Sequence, residues 1–266
     1  ETHQNLGYAL LNLGQLEEGL NELDWRWSTD KLSISKREFS QPLWDRNKSL
    51  KGKTILLWSE QGVGDTITWS SRLSLIASRA EHCILECQEK LIPLLTRSFP
   101  NLEIKTENRN SDTIRKDFDF HMPLGNIYQQ FLPEISKKNR VDAFLVPDPS
   151  RIKFWRERLK SVGAGPYIGI SWKSANITTS RYQNYAPISA FSPLLTLDNV
   201  TFVNLQYVDF ADDLSKVQND LGVTIHNFDD LDHFNDLDNV AALCAALDIV
   251  VSTRVTPPFI AAGVGT

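Results

Sequence analysis

The chain has 266 residues, 41% of them hydrophobic and 23% charged, with a formal net charge of −5. That length suits two domains of roughly 100–150 residues rather than one core, and the composition excludes a disordered or low-complexity chain. The acidity argues against a nucleic-acid surface, and no apolar run reaches the roughly 18–20 residues that span a bilayer.

The longest apolar stretch, Ala241 to Val251, is short and interrupted by Asp248. No basic-then-apolar leader opens the chain, so a cytoplasmic setting is expected. It starts at Glu1 and stops at Thr266 just after a Gly/Ala run, which reads as a piece of something longer. Cys83 and Cys87 fall four apart on an expected strand, on one face but about 13 Å from each other, too far to bridge. Reduced, buried thiols are the simplest reading.

Residues 1–27 read as helix, turn, helix. Leu6, Leu10 and Leu13 mark one apolar stripe, Gly14 breaks it, and Leu16, Leu20 and Leu23 mark a second. Asn5-Leu6-Gly7, Gly14 and Glu17-Glu18-Gly19-Leu20 resemble the end of a tetratricopeptide repeat, which uses small residues where two helices touch. An unrelated hairpin is the alternative. A single such unit cannot bury its own face, so it is expected to pack on the next domain or cap a superhelix. Residues 28–50 read as a connector with anchors at Trp44 and Leu50.

From residue 51 the pattern alternates. Thr54 to Trp58 is nearly all apolar, the mark of a strand covered on both faces of a parallel sheet. A helix follows from Thr66 to about Arg79, then strand 82–88, helix 89–98, strand 102–105, strand 118–122 and a helical patch at 127–131. Ser150 is a candidate cap for an amphipathic helix over 151–162, with Ile152, Trp155, Leu159 and Val162 inward and a basic, solvated remainder. After Gly163 to Pro166 come strand 167–172, helix 189–197, strand 200–206, helix 210–221, strand 224–227, helix 240–247 and strand 249–252. Two α/β halves are therefore expected, residues 51–148 and 149–266. Ligands in such sheets bind beyond the carboxyl ends of the strands, which points to the loops after Trp58, Trp172, Gln206, Asn227 and Ser252.

Gly62-Val63-Gly64-Asp65-Thr66 is the most informative of these loops. Its glycines suit a tight turn near a ligand, and a helix amino terminus favours anions. Ile67 breaks the full dinucleotide fingerprint and no phosphate-loop lysine follows. Asp65 is either a helix cap or a general base at a cleft. In the second half Lys173 and Arg181 are candidate cations for a diphosphate. Asp229, Asp230 and Asp236 lack metal-ligand spacing and read as a solvated loop.

Gln41-Pro-Leu-Trp-Asp45, Leu50 to Leu57 and Glu60 to Ile67 closely resemble bacterial tetratricopeptide-repeat proteins with a C-terminal glycosyltransferase domain like that of the heptosyltransferases. The likeness extends through Leu85 to Gln88, Gly169 to Trp172 and Ala241 to Val251. It implies a GT-B pair of Rossmann-like domains, the second incomplete in this chain, a nucleoside-diphosphate sugar donor held mainly by that second domain, and inverting transfer without metal or cofactor to a protein or glycan acceptor. It implies Asp65 as base, facing Lys173 across the cleft, and Gly62, Gly64, Thr66, Lys173, Arg181, Gln206, Thr253 and Thr256 as binding residues. The helical segment would bind a protein partner. Where such proteins carry an Asp and a His in the last loop, this chain has Arg254 and Phe259, which leaves a non-catalytic scaffold as the rival reading. An oxidoreductase is disfavoured, since Glu86 lies inside the second strand and Glu89 just beyond it.

Overall fold

The computed structural model describes residues 2–29, 36–109, 114–137, 142–175 and 185–266. The chain divides into two compact units, residues 1–92 with 99–141 and residues 93–98 with 142–266. Among the described residues no helix is long and apolar enough to cross a membrane.

In the first unit, helices α1 (Thr2–Asn12) and α2 (Leu16–Leu23) lead into a 3-10 turn over Asp24–Ser28. Gly7 and Gly19 are the buried positions of this hairpin, and a Cβ on Gly7 would stand 3.0 Å from the Gly19 carbonyl. The small residues do mark the touching faces. The leucine stripes are only partly used: Leu6, Leu13 and Leu16 are exposed, while Leu10, Leu20 and Leu23 are half-buried and Leu11 and Leu23 reach the two glycines.

Strand β1 (Thr54–Trp58) is followed by α3 (Val63–Ser70), α4 (Leu73–Ala77), β2 (His82–Cys87), α5 (Ile92–Ser98), β3 (Glu103–Thr106), β4 (Phe120–Pro123), α6 (Asn126–Gln130) and α7 (Leu132–Ile135). The helix expected from Thr66 to Arg79 starts three residues earlier and breaks at Ser71–Arg72, where Ser71 Oγ donates back to the Thr68 carbonyl. All strand pairs are parallel, in the order β3-β2-β1-β4. The chain thus winds outward from β1 and then reverses to β4, leaving a switch point between those two carboxyl ends. Trp44 and Leu50 are buried, as the connector reading requires. Cys83 and Cys87 are buried free thiols, pushed up to about 12 by desolvation.

Two buried ion networks fasten the segment before β1 to this sheet. Arg26, in the 3-10 turn, donates from Nε to Glu60 Oε1 at 3.0 Å and from Nη2 to Glu60 Oε2 at 3.1 Å, and also to Asn126 Oδ1. Glu60 is 4% exposed, and burial pushes its carboxyl up against the pull of the guanidinium. A Cβ on Gly125 would meet Glu60 Oε1 at 2.5 Å, so only glycine leaves room for the pair. Arg37 and Arg115 both reach Glu86 on β2, one of them at 2.6 Å. Trp27 and Phe39 pack on the cluster of Leu56, Trp58, Ile84 and Phe118.

The second unit contains α8 (Pro149–Val162), β5 (Tyr167–Ser171), α9 (Ser192–Leu195), β6 (Thr201–Asn204), α10 (Ala211–Leu221), β7 (Ile225–His226), α11 (Leu237–Cys244), β8 (Ile249–Ser252) and α12 (Thr256–Val264). Its sheet is also parallel, in the order β7-β6-β5-β8, so the same winding recurs with a switch point between β5 and β8. Helix α8 is capped by Asp148 rather than Ser150, since the Asp148 carboxylate accepts the Ser150 N–H at 2.8 Å and Pro149 opens the helix. Helix α11 begins at Leu237, so Asp236 is its cap and not free loop. Ile168, Ile170, Trp172, Phe202 and Val217 form the core. His233 is 8% exposed, neither ring nitrogen has a partner among the described residues, and burial pushes its pKa down to about 4.

Replacing Arg26 by Ala should strand the Glu60 charge and cost about 3–5 kcal/mol, read by urea unfolding. The pair exchange Arg26→Met with Glu60→Leu should recover most of that loss. In the second unit the unfolded His233 takes its proton near 6.5 and the folded one only near 4. Stability is therefore fully present above pH 6.5 and should fall as pH drops toward 4, by roughly 2–3 kcal/mol. His233→Phe should flatten that slope.

Candidate functional site

The switch point of the first unit is built from the loop after β1. Gly62 is the N-cap of α3, with φ −74° and ψ 170°, extended backbone that any residue adopts, and Gly64 lies within the first turn. The tight glycine turn expected here is therefore a plain strand-to-helix entry. Asp65 sits three residues inside the helix, and its Oδ2 accepts the Gly62 N–H at 3.1 Å. This is the reach-back half of a capping box, which fixes the carboxylate over an orphan donor. Asp65 is half-buried.

Thr66 is fully buried. Its hydroxyl donates to Gln88 Oε1 at 3.1 Å, while Gln88 Nε2 donates to the Gln61 carbonyl at 2.9 Å. The hydroxyl expected to meet a ligand instead ties the loop to the end of β2. Glu86, inside β2, is 2% exposed and held by Arg37 and Arg115, so its carboxylate is committed within the fold.

In the second unit the Lys173 ammonium is engaged, donating to Asp213 Oδ2 at 2.8 Å and to the Asp209 carbonyl at 2.7 Å. Asp213 also accepts the Trp172 indole N–H at 2.8 Å. Gln206 is fully buried. Its Oε1 takes the N–H groups of Trp172 and Lys173, each at 3.0 Å, and its Nε2 donates to the Lys173 and Val208 carbonyls. It shapes the two loops at the ends of β5 and β6 rather than presenting an amide to a ligand. Arg181 lies outside the described residues.

Thr253 and Thr256 flank the last loop. The Thr253 hydroxyl is buried without a partner among the described residues. Thr256 is the first residue of α12, with Pro257 and Pro258 directly after it. A helix normally offers the free N–H groups of its first three residues to an anion. Two prolines leave only the Thr256 N–H. The exposed Arg254, with no ion pair among the described residues, is the cation nearest in sequence to that end.

The acidic loop is tied down. Asp230 accepts both Nη atoms of Arg158 at 2.6 Å, Asp236 pairs with Arg151, and Asp229 accepts from Asn227 Nδ2. No three His, Cys, Asp or Glu side chains come together as a metal-holding group among the described residues. Reading the sequence missed Arg26, Asn126 and Asp213, each of which meets its partner only through the fold.

No family model matches the chain. It is 30% identical to Protein FlbA of Caulobacter vibrioides over 271 residues, which is 97% of this chain and 45% of that protein, so the chain spans less than half of its curated relative. Among solved structures it is similar to the glycosyl transferase family 9 protein from Veillonella parvula, with a TM-score of 0.61 and 13% identity, covering 82% of this chain and 81% of the other. The iron-containing glycosyltransferase TibC of enterotoxigenic E. coli aligns at a TM-score of only 0.46 and 11% identity, over 82% of this chain and 58% of that one. At these identities the likeness is one of fold: two parallel α/β units built as in a family 9 glycosyltransferase.

Proposed function

We propose that this chain is the GT-B-like part of a sugar transferase that uses a nucleoside-diphosphate sugar in the cytoplasm. The observation that carries the reading is Asp65, a carboxylate fixed by the Gly62 N–H at the carboxyl end of β1, in a chain whose fold matches a glycosyltransferase. Asp65 takes the proton of an acceptor hydroxyl, the freed oxygen attacks the anomeric carbon from the side opposite the diphosphate, and the nucleoside diphosphate leaves with the bonding pair. The configuration inverts. The acceptor is a protein side chain or a glycan precursor, and the helical segment, read as a fragment of a tetratricopeptide-type array, presents it.

On the donor side we assign the leaving diphosphate to the Thr256 N–H, the Thr253 hydroxyl and Arg254, a fixed positive charge of the kind that stabilises a departing anion. Lys173 joins only by leaving Asp213. Gln206 acts from behind, holding the Lys173 backbone in place.

A second reading has its own support. Lys173 and Gln206 are consumed by internal bonds, and prolines thin the donors of α12. These features suit a scaffold that has lost transfer, and nucleotide binding separates the two.

Calorimetry of the protein against a panel of nucleoside diphosphates and their sugars should give saturable binding to at least one. Asp65→Asn keeps an oxygen for the Gly62 N–H, so the melting temperature and donor affinity should stay close to the parent while transfer falls about 10²–10⁴-fold. Asp213→Asn, which frees the Lys173 ammonium, should tighten diphosphate binding several-fold. Absence of binding to every nucleotide rejects the enzyme in favour of the scaffold, and full transfer by Asp65→Asn rejects Asp65 as its base.

A further inference from the structure

The outer side of α8 carries a concave surface that the transferase reading leaves unused. The helix, Pro149–Val162, holds Arg151, Lys153, Arg156, Arg158 and Lys160 against a single acid, Glu157, in a chain whose net charge is −5. Three of these cations are neutralised locally: Arg151 by Asp236, Arg158 by Asp230 and Lys160 by Glu157. Lys153 and Arg156 are exposed and make no ion pair or hydrogen bond among the described residues. A groove of about 470 Å³ opens beside them, lined by the half-buried Ile152, Tyr167 and Ala246, by the exposed Lys153, Arg156 and Lys160, and by Pro149 and Glu157, the one acid of the lining, which pairs with Lys160. Ile152, Tyr167 and Ala246 are the less exposed part of this lining, and the charged side chains around them are exposed.

The place of the groove in the fold separates it from any donor site. Tyr167 opens β5 and Ala246 lies just before β8, so the groove belongs to the amino ends of these parallel strands. The loops carrying Lys173, Thr253 and Thr256 lie at the carboxyl ends.

We propose that this groove docks an acidic peptide segment of a partner protein, an apolar side chain seated on Ile152, Tyr167 and Ala246 and flanking carboxylates meeting Lys153 and Arg156. Charge complementarity argues for it: an acidic molecule repels acidic partners everywhere except where its sign is locally inverted. The half-buried state of Ile152, Tyr167 and Ala246 argues against a bilayer, which would need apolar side chains more exposed than the cations beside them. Two unpaired cations are too few to hold a nucleic-acid backbone, whose binding draws on many phosphate contacts. An apolar core ringed by polar groups is instead the ordinary anatomy of a protein contact.

The test is fluorescence anisotropy with a fluorescein-labelled dodecapeptide repeating Glu-Leu-Glu, run beside an all-Glu dodecapeptide and phosphatidylglycerol vesicles. Saturable binding of the Leu-containing peptide is expected, weakening as salt rises and weakening at least about tenfold in Lys153→Glu with Arg156→Glu, where attraction becomes repulsion. Ala246→Glu, which places a charge among these apolar residues, should weaken it comparably. Both sets of changes are at solvent-accessible positions, and an unshifted melting temperature shows that folding is intact. No peptide binding, binding indifferent to the charge reversal, equal affinity for the all-Glu peptide, or vesicle binding that the peptide fails to displace each overturns the proposal.

Discussion

The buried pair of Arg26 and Glu60 organises the carboxyl end of β1 in the first unit. Glu60 leaves the end of β1 pointing into the place where α/β sheets usually admit a ligand, and a carboxylate there must be compensated or neutralised. Arg26 compensates it with two parallel hydrogen bonds, and Asn126 takes a further guanidinium N–H. The loop from Gln61 to Thr66 therefore starts from a fixed point. Gln88 fixes its other side. Between these two anchors the Asp65 carboxylate has little freedom, which is the condition a general base needs.

The second unit reaches a comparable order by a different route. There the carboxyl-end loops are knitted by the neutral amide of Gln206, which accepts from two consecutive backbone N–H groups and donates to two carbonyls. Lys173, Trp172 and Asp213 add a charged clasp. The two units share a winding order, β3-β2-β1-β4 and β7-β6-β5-β8, yet one is keyed by a buried charge pair and the other by an amide. The last loop departs from both, since its prolines withhold the backbone donors that the turn from strand to helix would otherwise expose.

Much of this was legible in the sequence where burial is two-sided. Thr54 to Trp58 is an apolar run with no polar alternation, buried from Ile55 onward, and its limits follow from composition alone, whereas Ile249 to Ser252 reads the same way but is a half-buried edge strand with Ile249 exposed. The amphipathic helix at residue 151 was equally plain, but its cap was misplaced because Pro149 makes Asp148, not Ser150, the last non-helical residue. At the site, residue type was legible and role was not. Asp65 was rightly seen as a helix-start carboxylate, but Thr66, Gln206 and Lys173 turned out to spend their polar atoms inside the protein. Their partners, Gln88, the Lys173 backbone and Asp213, lie 22 to 40 residues away, and no local pattern encodes such a meeting. Arg26 and Glu60, separated by 34 residues, were invisible for the same reason.

The reach-back bond of Asp65 ties chemistry to folding at one atom pair. A carboxylate that has just accepted a proton is a poorer acceptor for the Gly62 N–H and no longer opposes the helix dipole with full charge. Protonating Asp65 would thus slacken the first turn of α3, and deprotonation would draw it taut again. The charge of Asp65 and the tightness of that turn then rise and fall together, with no second group needed to couple them.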